Sequence, residues 1–435
     1  MTKDKAVIGI RREDKNEWEK RVPLIPSDIE ELLKSSDLEI IVQPSSIRIY
    51  NDEEYQKAGA TIDESLSAAK TIFAVKEIPS RLLEESKTYV FFSHTIKGQP
   101  YNMGMLKRLM ELKCNLIDYE KISDENNARV ITFSSFAGMA GLIETLHAYA
   151  RKMELKGIST PFAKLKQAYQ YPSIEMAKEE IQRISQEITK NGVPKELHPL
   201  SIGILGYGNV SKGAQQILNL LPVKTIPADQ LKEGLDPKAL DDRFIYSTVF
   251  EEKDMVQPIS GEFSLQEYYQ HPEKYRADFD SYLKSLKILL NCVYWTEDYP
   301  RTITREGLGK IPASENKLEL VGDISCDIEG SIEITKDSTK PDNACYTYFI
   351  KKDDFEEGIQ ADGITVMAID NLPCEFSKES SSSFSSELKE FVHGIATANF
   401  DAEFDKLRVA DEVKKAIILH KGKLTPDYEY IAEYL

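Results

Sequence analysis

The chain has 435 residues, of which 41% are hydrophobic, and this length exceeds one ordinary core and predicts two or three domains. Its formal net charge of −17 argues against nucleic acid or an anionic membrane as a partner. The five cysteines are scattered without a C-x-x-C pair, which is typical of free thiols in a reducing compartment. No signal peptide is visible, and no apolar run approaches the roughly 18 residues of a membrane span. We therefore expect a soluble protein of the cytoplasm.

The first part of the chain alternates predicted strands with predicted helices. Ser27 is expected to cap a helix, with Glu30 completing a capping box three residues later. A second helix is predicted over 101–112. Short apolar runs predict strands at Ala6–Ile10, Leu38–Val42, Thr71–Val75, Tyr89–Ser93 and Asn115–Tyr119. This alternation is typical of a mostly parallel α/β sheet.

Three polar residues follow strands of this first predicted sheet. Lys76, His94 and Glu120 each come just after the end of a different strand. Ligands of open α/β sheets bind beyond the carboxyl ends of the strands, so a cation, an imidazole and a carboxylate are expected to converge on one cleft. Each residue alone is more typical of a solvated surface side chain, and it is the shared position that favours a functional site.

A long helix is predicted after the first sheet. Arg129–Phe133 has the pattern of one more strand, and the small residues of Ala137–Leu142 open a helix that runs toward Lys152 and connects two domains. Another helix is predicted over 173–189, before prolines at 194 and 199 break the chain.

A glycine turn follows and marks a candidate nucleotide site. Leu200–Leu205 predicts a buried strand that ends at Gly206 and Gly208, where the backbone can turn tightly. A helix stripe follows at Val210, Ala214, Ile217 and Leu218. Strand, turn and helix together favour a dinucleotide pyrophosphate on the exposed N–H groups of the helix start, although a plain βα turn is the alternative. The third glycine of the usual G-x-G-x-x-G pattern is replaced by Ser211, and the next glycine is Gly213.

The second half of the chain contains further strands of this second sheet. Val223–Ile226 is expected to be its second strand, and the loop-rich stretch 229–285 has no readable function. Apolar runs at Leu286–Trp295, Leu318–Gly322 and Ile364–Ile369 follow, with Asp323 and Asp370 directly after the last two. Ser380–Ser386 is interpreted as a loop and helix start, and the last forty residues as helical.

The residue types favour hydride transfer assisted by acid–base chemistry. A lysine whose pKa is lowered by burial can move protons near neutral pH, and histidine does so without special tuning. Arg21 and Arg129 suit bidentate binding of carboxylates, which favours an amino-acid or oxo-acid substrate. No catalytic Ser-His-Asp order, metal-ligand spacing or P-loop is visible, and His147 and His198 are interpreted as structural.

Several longer stretches resemble the saccharopine-forming lysine–2-oxoglutarate reductases, which are the saccharopine dehydrogenase relatives of alanine dehydrogenase and transhydrogenase. Arg21, Lys76 and His94 are less specific, because alanine dehydrogenases resemble the chain there too. Ser211 and Gly213 are usual in this group. The matching stretches, in chain order, are Arg11–Asp14, Trp18–Leu24, Phe91–Lys97, Ile117–Lys121, Gly208–Ala214 and Ile369–Pro373.

The resemblance implies a reaction and a set of roles. L-Lysine would condense with 2-oxoglutarate, and a nicotinamide cofactor would reduce the imine to saccharopine. Lys76 and His94 would be the acid–base pair. The implied substrate-site residues are Arg21, Glu77, Glu120 and Arg129, with the two arginines on substrate carboxylates and the two glutamates tuning charge. The implied cofactor-binding residues are Gly206, Gly208, Asn209, Val210, Ser211 and Asp323.

The resemblance also implies two Rossmann-like α/β domains with mostly parallel sheets and a cleft between them. Residues 1–138 would form the substrate domain, with helices of 395–435 packing back on it, and residues 139–394 the dinucleotide-binding domain. Partners would be the small-molecule substrates lysine, 2-oxoglutarate and saccharopine, without nucleic acid, membrane or metal, and a homo-oligomer is left open.

NADP(H) is favoured over NAD(H) as the cofactor, and NAD(H) stays open. NAD sites usually carry an acid about 20 residues after the glycine turn, on the ribose 2′-hydroxyl. Here the expected second strand ends at Ile226–Ala228, Asp229 comes late, and no arginine stands in its place. The missing acid favours NADP(H) only together with what the resemblance implies. Two alternative functions remain: an alanine-dehydrogenase-like amination of a small 2-oxo acid, and a nucleotide-sensing protein without catalysis.

Overall fold

The computed structural model describes residues 5–435, so the first four residues of the predicted substrate domain lie outside the description. Its helices are α1 (Pro26–Ser35), α2 (Asp52–Lys57), α3 (Pro100–Glu111), α4 (Ser134–Leu155), α5 (Ile174–Asn191), α6 (Asn209–Leu218), α7 (Ala228–Glu233), α8 (Glu252–Met255), α9 (Leu265–Gln270), α10 (Arg305–Lys310), α11 (Ser377–Thr397) and α12 (Asp411–Lys415). Its strands are β1 (Ala6–Ile10), β2 (Leu38–Val42), β3 (Thr61–Ile62), β4 (Thr71–Phe73), β5 (Thr88–Phe91), β6 (Asn115–Asp118), β7 (Ser201–Leu205), β8 (Val223–Thr225), β9 (Ile245–Phe250), β10 (Val256–Pro258), β11 (Tyr275–Ala277), β12 (Ile288–Asn291), β13 (Leu320–Asp323), β14 (Cys345–Phe349), β15 (Asp354–Glu357), β16 (Ile364–Met367), β17 (Ile417–His420) and β18 (Lys423–Leu424).

One compact unit combines the described residues through Phe133 with Ser377–Leu435. Its sheet has the order β18-β17-β6-β5-β4-β1-β2-β3 and is parallel except at β17 and β18. The central strands bury apolar side chains such as Ile8, Phe73 and Val90 completely, as expected for a sheet covered on both faces.

The second compact unit is Ser134–Phe376. Its sheet has the order β15-β14-β16-β13-β12-β7-β9-β8 and is parallel except at β14 and β15. β10 and β11 form a separate antiparallel pair. The predicted α/β class with two mostly parallel sheets is confirmed.

The strand predicted at Arg129–Phe133 is absent from the structure. Arg129 makes only an isolated bridge to Ser123. The sheet edge beside β6 is taken by β17, which pairs with β6 in antiparallel orientation. The apolar side chains of the segment are used for packing instead, since the Phe133 ring stacks on Phe384 at 4.4 Å between centroids.

The serine-rich patch 380–386 lies inside α11 and is not a loop or a helix start. Ser380, Ser381 and Ser385 are buried, and the last two accept hydrogen bonds from the backbone of a neighbouring segment. Ser381 accepts a hydrogen bond from the Val22 amide over 3.0 Å, and Ser385 accepts one from the Ile25 amide over 3.0 Å. Ser385 also donates to Asp28 over 2.6 Å. These bonds from α11 stabilise the start of α1.

The prediction that Ser27 caps the first helix is wrong. α1 begins at Pro26, with Ile25 in the N-cap position and no side-chain cap hydrogen bond. Proline is well suited to the first turn because it fixes φ and has no N–H to satisfy there. Ser27 is therefore a residue of the first helical turn.

The last forty residues are not the helices that the sequence predicted. They contain the short helix α12, the strands β17 and β18, and a 3-10 segment at Pro426–Tyr434. Ile417–Leu419 is a fully buried apolar run, and a run this short is compatible with either a strand or a buried helix. The free edge of β6 decides in favour of a strand.

The stretch 229–285 contains β9, a strand that was not predicted from the sequence. β9 pairs with β7, the strand of the glycine turn, whereas the predicted second strand β8 lies at the edge of the sheet on the far side of β9. Among residues 5–435, no helix combines the length and apolar character needed to cross a bilayer.

Two buried carboxyl groups of the second unit give its stability a pH dependence. Glu144 of α4 is 1% exposed and accepts hydrogen bonds from the Ala168 amide and the Gln167 side chain. Burial raises the pKa of Glu144 to about 7. Burial and the charge of Glu144 raise the pKa of Glu375 well above its usual value. Both groups therefore hold protons in the folded state at pH values where an unfolded glutamate has lost its proton.

We expect the free energy of unfolding to fall as pH rises from about 5 to about 8. The folded state binds more protons than the unfolded state across this window, so stability is complete near pH 4.5 and is lost as pH passes the raised folded pKa. A loss on the order of 3 kcal/mol is expected from Glu144 alone, because its pKa rises from 4.5 to about 7 and each pKa unit corresponds to about 1.4 kcal/mol. Urea unfolding at several pH values gives the unfolding free energy as a function of pH. Its decrease with pH should be smaller for Glu375→Gln than for the wild type. The control Glu262→Gln, at an exposed position, should keep the wild-type slope.

Candidate active site

His94 and Glu77 meet just beyond the ends of two neighbouring parallel strands. Glu77 follows β4 and His94 follows β5, and the two strands pair in parallel. The Nδ1 atom of His94 lies 2.6 Å from Oε1 of Glu77. Asn102 of α3 donates to the same oxygen over 3.3 Å and to the Ser93 carbonyl over 2.9 Å. The backbone of His94 has φ +47°, an uncommon conformation for a residue other than glycine, which these contacts hold in place.

Glu77 keeps its negative charge beside this histidine. Burial alone would raise its pKa, but the hydrogen bond and charge of His94, helped by Lys15 at 3.5 Å, lower the pKa of Glu77 well below its ordinary value. An ionised carboxylate accepts a hydrogen bond, so Nδ1 carries the proton. Nε2 of the neutral ring is then the atom that can accept or return a proton.

Lys76 lies next to this pair and is largely buried. Burial lowers the pKa of Lys76, the charge of Arg21 lowers it further, and Glu19 offsets part of the change. Its amine forms no hydrogen bond or ion pair with residues 5–435. A buried amine that has a lowered pKa and no hydrogen-bond partner among the described residues is suited to moving a proton.

Glu13 holds the backbone at Lys76, and the sequence did not single it out. Its carboxylate accepts hydrogen bonds from the amides of Val75, over 2.6 Å, and Lys76, over 3.0 Å. Burial and the charge of Glu19 raise the pKa of Glu13 to about 7. Glu13 and Glu19 both lie in stretches that carried the resemblance, and Asn102 had no sequence signal of its own.

The two predicted carboxylate-binding arginines bind carboxylates of the chain itself. Arg21 donates hydrogen bonds to Glu19 from Nε over 2.8 Å and from Nη2 over 2.6 Å, and both side chains are buried. Its guanidinium lies over the Phe133 ring. Arg129 is half exposed and pairs with Glu120. The geometry thus places Glu120 with Arg129 and leaves the role of both in substrate binding a prediction.

The glycine turn of the second unit joins β7 to α6. Gly206 has φ +83°, which residues with a side chain rarely adopt, and a Cβ added there would lie 3.0 Å from Val293. Gly208 is the N-cap residue of α6, and a Cβ placed there would meet no protein atom within 4 Å. Asn209 begins the helix and is exposed, and Val210 is half buried. The space beside Gly208 suits the close approach of a pyrophosphate to the helix start.

The replacement of the third glycine by Ser211 is explained by the packing of α4 against α6. A Cβ on Gly213 would lie 2.0 Å from the Ser135 carbonyl oxygen, and one on Gly138 would lie 1.9 Å from the Val210 carbonyl oxygen. Ser211 is fully buried and accepts a hydrogen bond from Gln215 over 3.0 Å. Gly213 and Gly138 therefore allow the close approach of α4 to α6, and position 211 needs no glycine for this contact.

Asp323 ends β13 in a closed hydrogen-bond network. Its carboxylate accepts from Asn291 over 2.8 Å, Thr335 over 2.6 Å and the Cys326 amide over 3.1 Å. Burial raises the pKa of Asp323 to about 6, because these hydrogen bonds offset only part of the desolvation. The network fixes the end of the strand, and the role of Asp323 beside a nicotinamide stays a prediction.

Comparison with known proteins confirms the resemblance that the motifs carried. Residues 9–140 match the family described as "Alanine dehydrogenase/PNT, N-terminal domain". The chain is 34% identical to "Alpha-aminoadipic semialdehyde synthase, mitochondrial" of Bos taurus, over 98% of this chain and 48% of that protein. It is 27% identical to "Saccharopine dehydrogenase (NAD(+), L-lysine-forming)" of Neurospora crassa, over 88% of this chain and 89% of that protein. The chain thus spans about half the length of the bovine relative.

Solved structures share the fold at low sequence identity. An L-alanine dehydrogenase superposes with a TM-score of 0.63 at 15% identity, covering 99% of this chain and 100% of that one. A transhydrogenase from Sinorhizobium meliloti gives a TM-score of 0.58 at 15% identity, covering 96% of this chain and 100% of that one. These matches support the Rossmann-like character of the two sheets.

Two glycine-to-alanine variants should separate binding from folding. Gly208→Ala places a methyl group in open space at an allowed backbone conformation, so stability should change by less than about 0.5 kcal/mol. The same methyl group should weaken binding of both NADH and NADPH by about tenfold or more, because it blocks the pyrophosphate. Gly213→Ala should instead destabilise the fold by about 1–3 kcal/mol, because its methyl group collides with α4. Calorimetric binding and thermal unfolding measure the two effects. Equal behaviour of the two variants would contradict this division of roles.

Proposed function

We propose that the chain is an oxidoreductase that condenses L-lysine with 2-oxoglutarate and reduces the imine to saccharopine with a nicotinamide cofactor. The observation that carries the proposal is the His94–Glu77 hydrogen bond beside the largely buried amine of Lys76. The names of the relatives support it, since the Neurospora crassa protein is named for the same reaction in the lysine-forming direction. Localisation in the cytoplasm and assembly into a homo-oligomer are further proposals.

The overall reaction balances as lysine, 2-oxoglutarate, reduced cofactor and one proton giving saccharopine, oxidised cofactor and water. The ε-amine of lysine must lose a proton to attack the ketone carbon. The resulting carbinolamine loses its hydroxyl group as water, which needs a proton at that oxygen. A nicotinamide cofactor held at the glycine turn would supply the hydride for the reduction of the imine.

Lys76 and His94 provide the two proton transfers. The amine of Lys76, whose pKa is lowered by burial and by the charge of Arg21, accepts the proton of the attacking substrate amine in its neutral form. His94 exchanges protons through Nε2 at the carbinolamine oxygen, while Glu77 holds Nδ1 and stabilises the ring when it is charged. The division of work between the two side chains is part of the proposal.

The two arginines of the same unit are proposed to act on substrate carboxylates in different ways. Arg129 is half exposed, so a carboxylate of the substrate can compete with Glu120 for its guanidinium. Arg21 is buried against Glu19 and contributes a fixed positive charge near Lys76. Gly206, Gly208, Asn209, Val210 and Ser211 would hold the dinucleotide, with Asp323 on the nicotinamide side.

A reductive amination of a small 2-oxo acid is the second candidate, and the match of residues 9–140 to the alanine dehydrogenase family favours it. The two reactions need different amines. We expect absorbance of the reduced cofactor to fall when the chain is mixed with lysine and 2-oxoglutarate, and to stay constant with ammonia and pyruvate. Both mixtures should be run with NADH and with NADPH. Turnover only with ammonia and pyruvate would contradict the proposal, and cofactor binding without turnover in either mixture would favour a nucleotide sensor.

Lys76→Met and His94→Gln should each lower kcat by about 10²–10⁴-fold, the usual effect of losing a positioned acid or base. Their dissociation constants for the cofactor should stay within about twofold of the wild type, because both residues lie in the first unit. Exposed residues of the same unit give matched controls, Lys107→Met on α3 and His393→Gln on α11, which should keep wild-type turnover. Near-normal rates in both active-site variants would disprove the acid–base assignment.

A further inference from the structure

The residues that follow β9 emerge next to the glycine turn. β9 pairs with β7 along its length, and β8 lies one strand further out. The amide of Gly206 donates to the carbonyl of Phe250, the last residue of β9, over 2.9 Å. The strand beside the glycine strand is therefore β9, and the side chains at its carboxyl end belong to the surroundings of the turn.

Glu252 follows β9 and is held beside the turn by two tyrosines. Its Oε1 atom accepts a hydrogen bond from Tyr269 over 2.6 Å. The same oxygen accepts one over 3.4 Å from Tyr207, the residue between the two glycines. Its second oxygen, Oε2, accepts no hydrogen bond from the described part of the chain. Glu252 thus presents an oriented carboxylate with one oxygen available to a ligand.

The surroundings of Glu252 are acidic. Glu251, Glu252 and Asp254 lie within four residues, and the one cation among them, Lys253, pairs with Glu251 at 2.7 Å. A phosphate group placed here would meet net negative charge, whereas a hydroxyl group would meet a hydrogen-bond acceptor.

We propose that Glu252 accepts the adenosine ribose 2′-hydroxyl and that the chain therefore prefers NAD(H) to NADP(H). In Rossmann-type sites an acid after the strand beside the glycine strand binds this hydroxyl, and it repels the 2′-phosphate of NADP. The proposal rests on the dinucleotide site of the proposed function and reverses the preference expected from the sequence. The segment Ile226–Ala228, on which the preference expected from the sequence was based, follows β8, and β8 is separated from the glycine strand β7 by β9.

The test is to measure dissociation constants of the full chain by calorimetry. NADH and NADPH are compared first, and then ADP-ribose and 2′-phospho-ADP-ribose, which lack the nicotinamide ring. In each pair, the ligand that lacks the 2′-phosphate should bind about tenfold tighter or more, which is the usual gain from a hydrogen bond to a charged group. Glu252→Gln should weaken NADH about tenfold without weakening NADPH. The control Glu262→Gln should leave both constants unchanged.

Tyr269→Phe keeps the charge of Glu252 and removes the hydrogen bond that orients it. It should weaken NADH by a smaller factor than Glu252→Gln and leave the fold unchanged. Tighter binding of NADPH in the wild type, or equal NADH binding by wild type and Glu252→Gln, would overturn the assignment of Glu252 while leaving the proposed function intact. Binding of neither dinucleotide would overturn both proposals. Tighter NADH binding without turnover of lysine and 2-oxoglutarate would support this inference and count only against the proposed reaction.

Discussion

Neighbouring parallel strands end at the same edge of a sheet, and each candidate site depends on this constraint. In the first unit, the pairing of β4 with β5 brings Glu77 and His94 within hydrogen-bond distance although they are separated along the chain. In the second unit, the pairing of β7 with β9 brings Glu252 to the glycine turn. Side chains at these positions need no long-range adjustment, because the backbone ladder already fixes their spacing.

Burial then gives these side chains their chemistry. The amine of Lys76 loses part of its affinity for a proton because water is excluded, while Glu77 keeps its charge because His94 and Lys15 compensate for the lost solvation. Arg21 and Glu19 illustrate the same balance, since two buried charges are tolerated only as a well-bonded pair. Such pairing raises the local density of charge without leaving an isolated ion, so the site can hold several ionisable groups close together.

The local sequence was sufficient to predict those strands of both sheets that are short, apolar and bounded by turns. It also placed Lys76, His94 and the glycine turn correctly relative to these strands. It was insufficient wherever a partner far along the chain decides the outcome. Ser381 and Ser385 look like loop residues until Val22 and Ile25 are seen to donate to them. Ile417–His420 becomes a strand because β6 has an edge to fill. Ser211 looks like a defect until α4 is found against Gly213.

The choice of cofactor illustrates the limit most clearly, because it depends on strand order. The usual spacing of about 20 residues between a glycine turn and the ribose acid holds when the next strand along the chain is also the next strand in the sheet. Here β8 follows in the chain, but β9 occupies the neighbouring position. The acid must therefore be sought after Phe250, where Tyr207 and Tyr269 hold Glu252. A ribose hydroxyl is recognised by what lies beside the turn in space, and chain distance is informative only while the topology keeps the two equivalent.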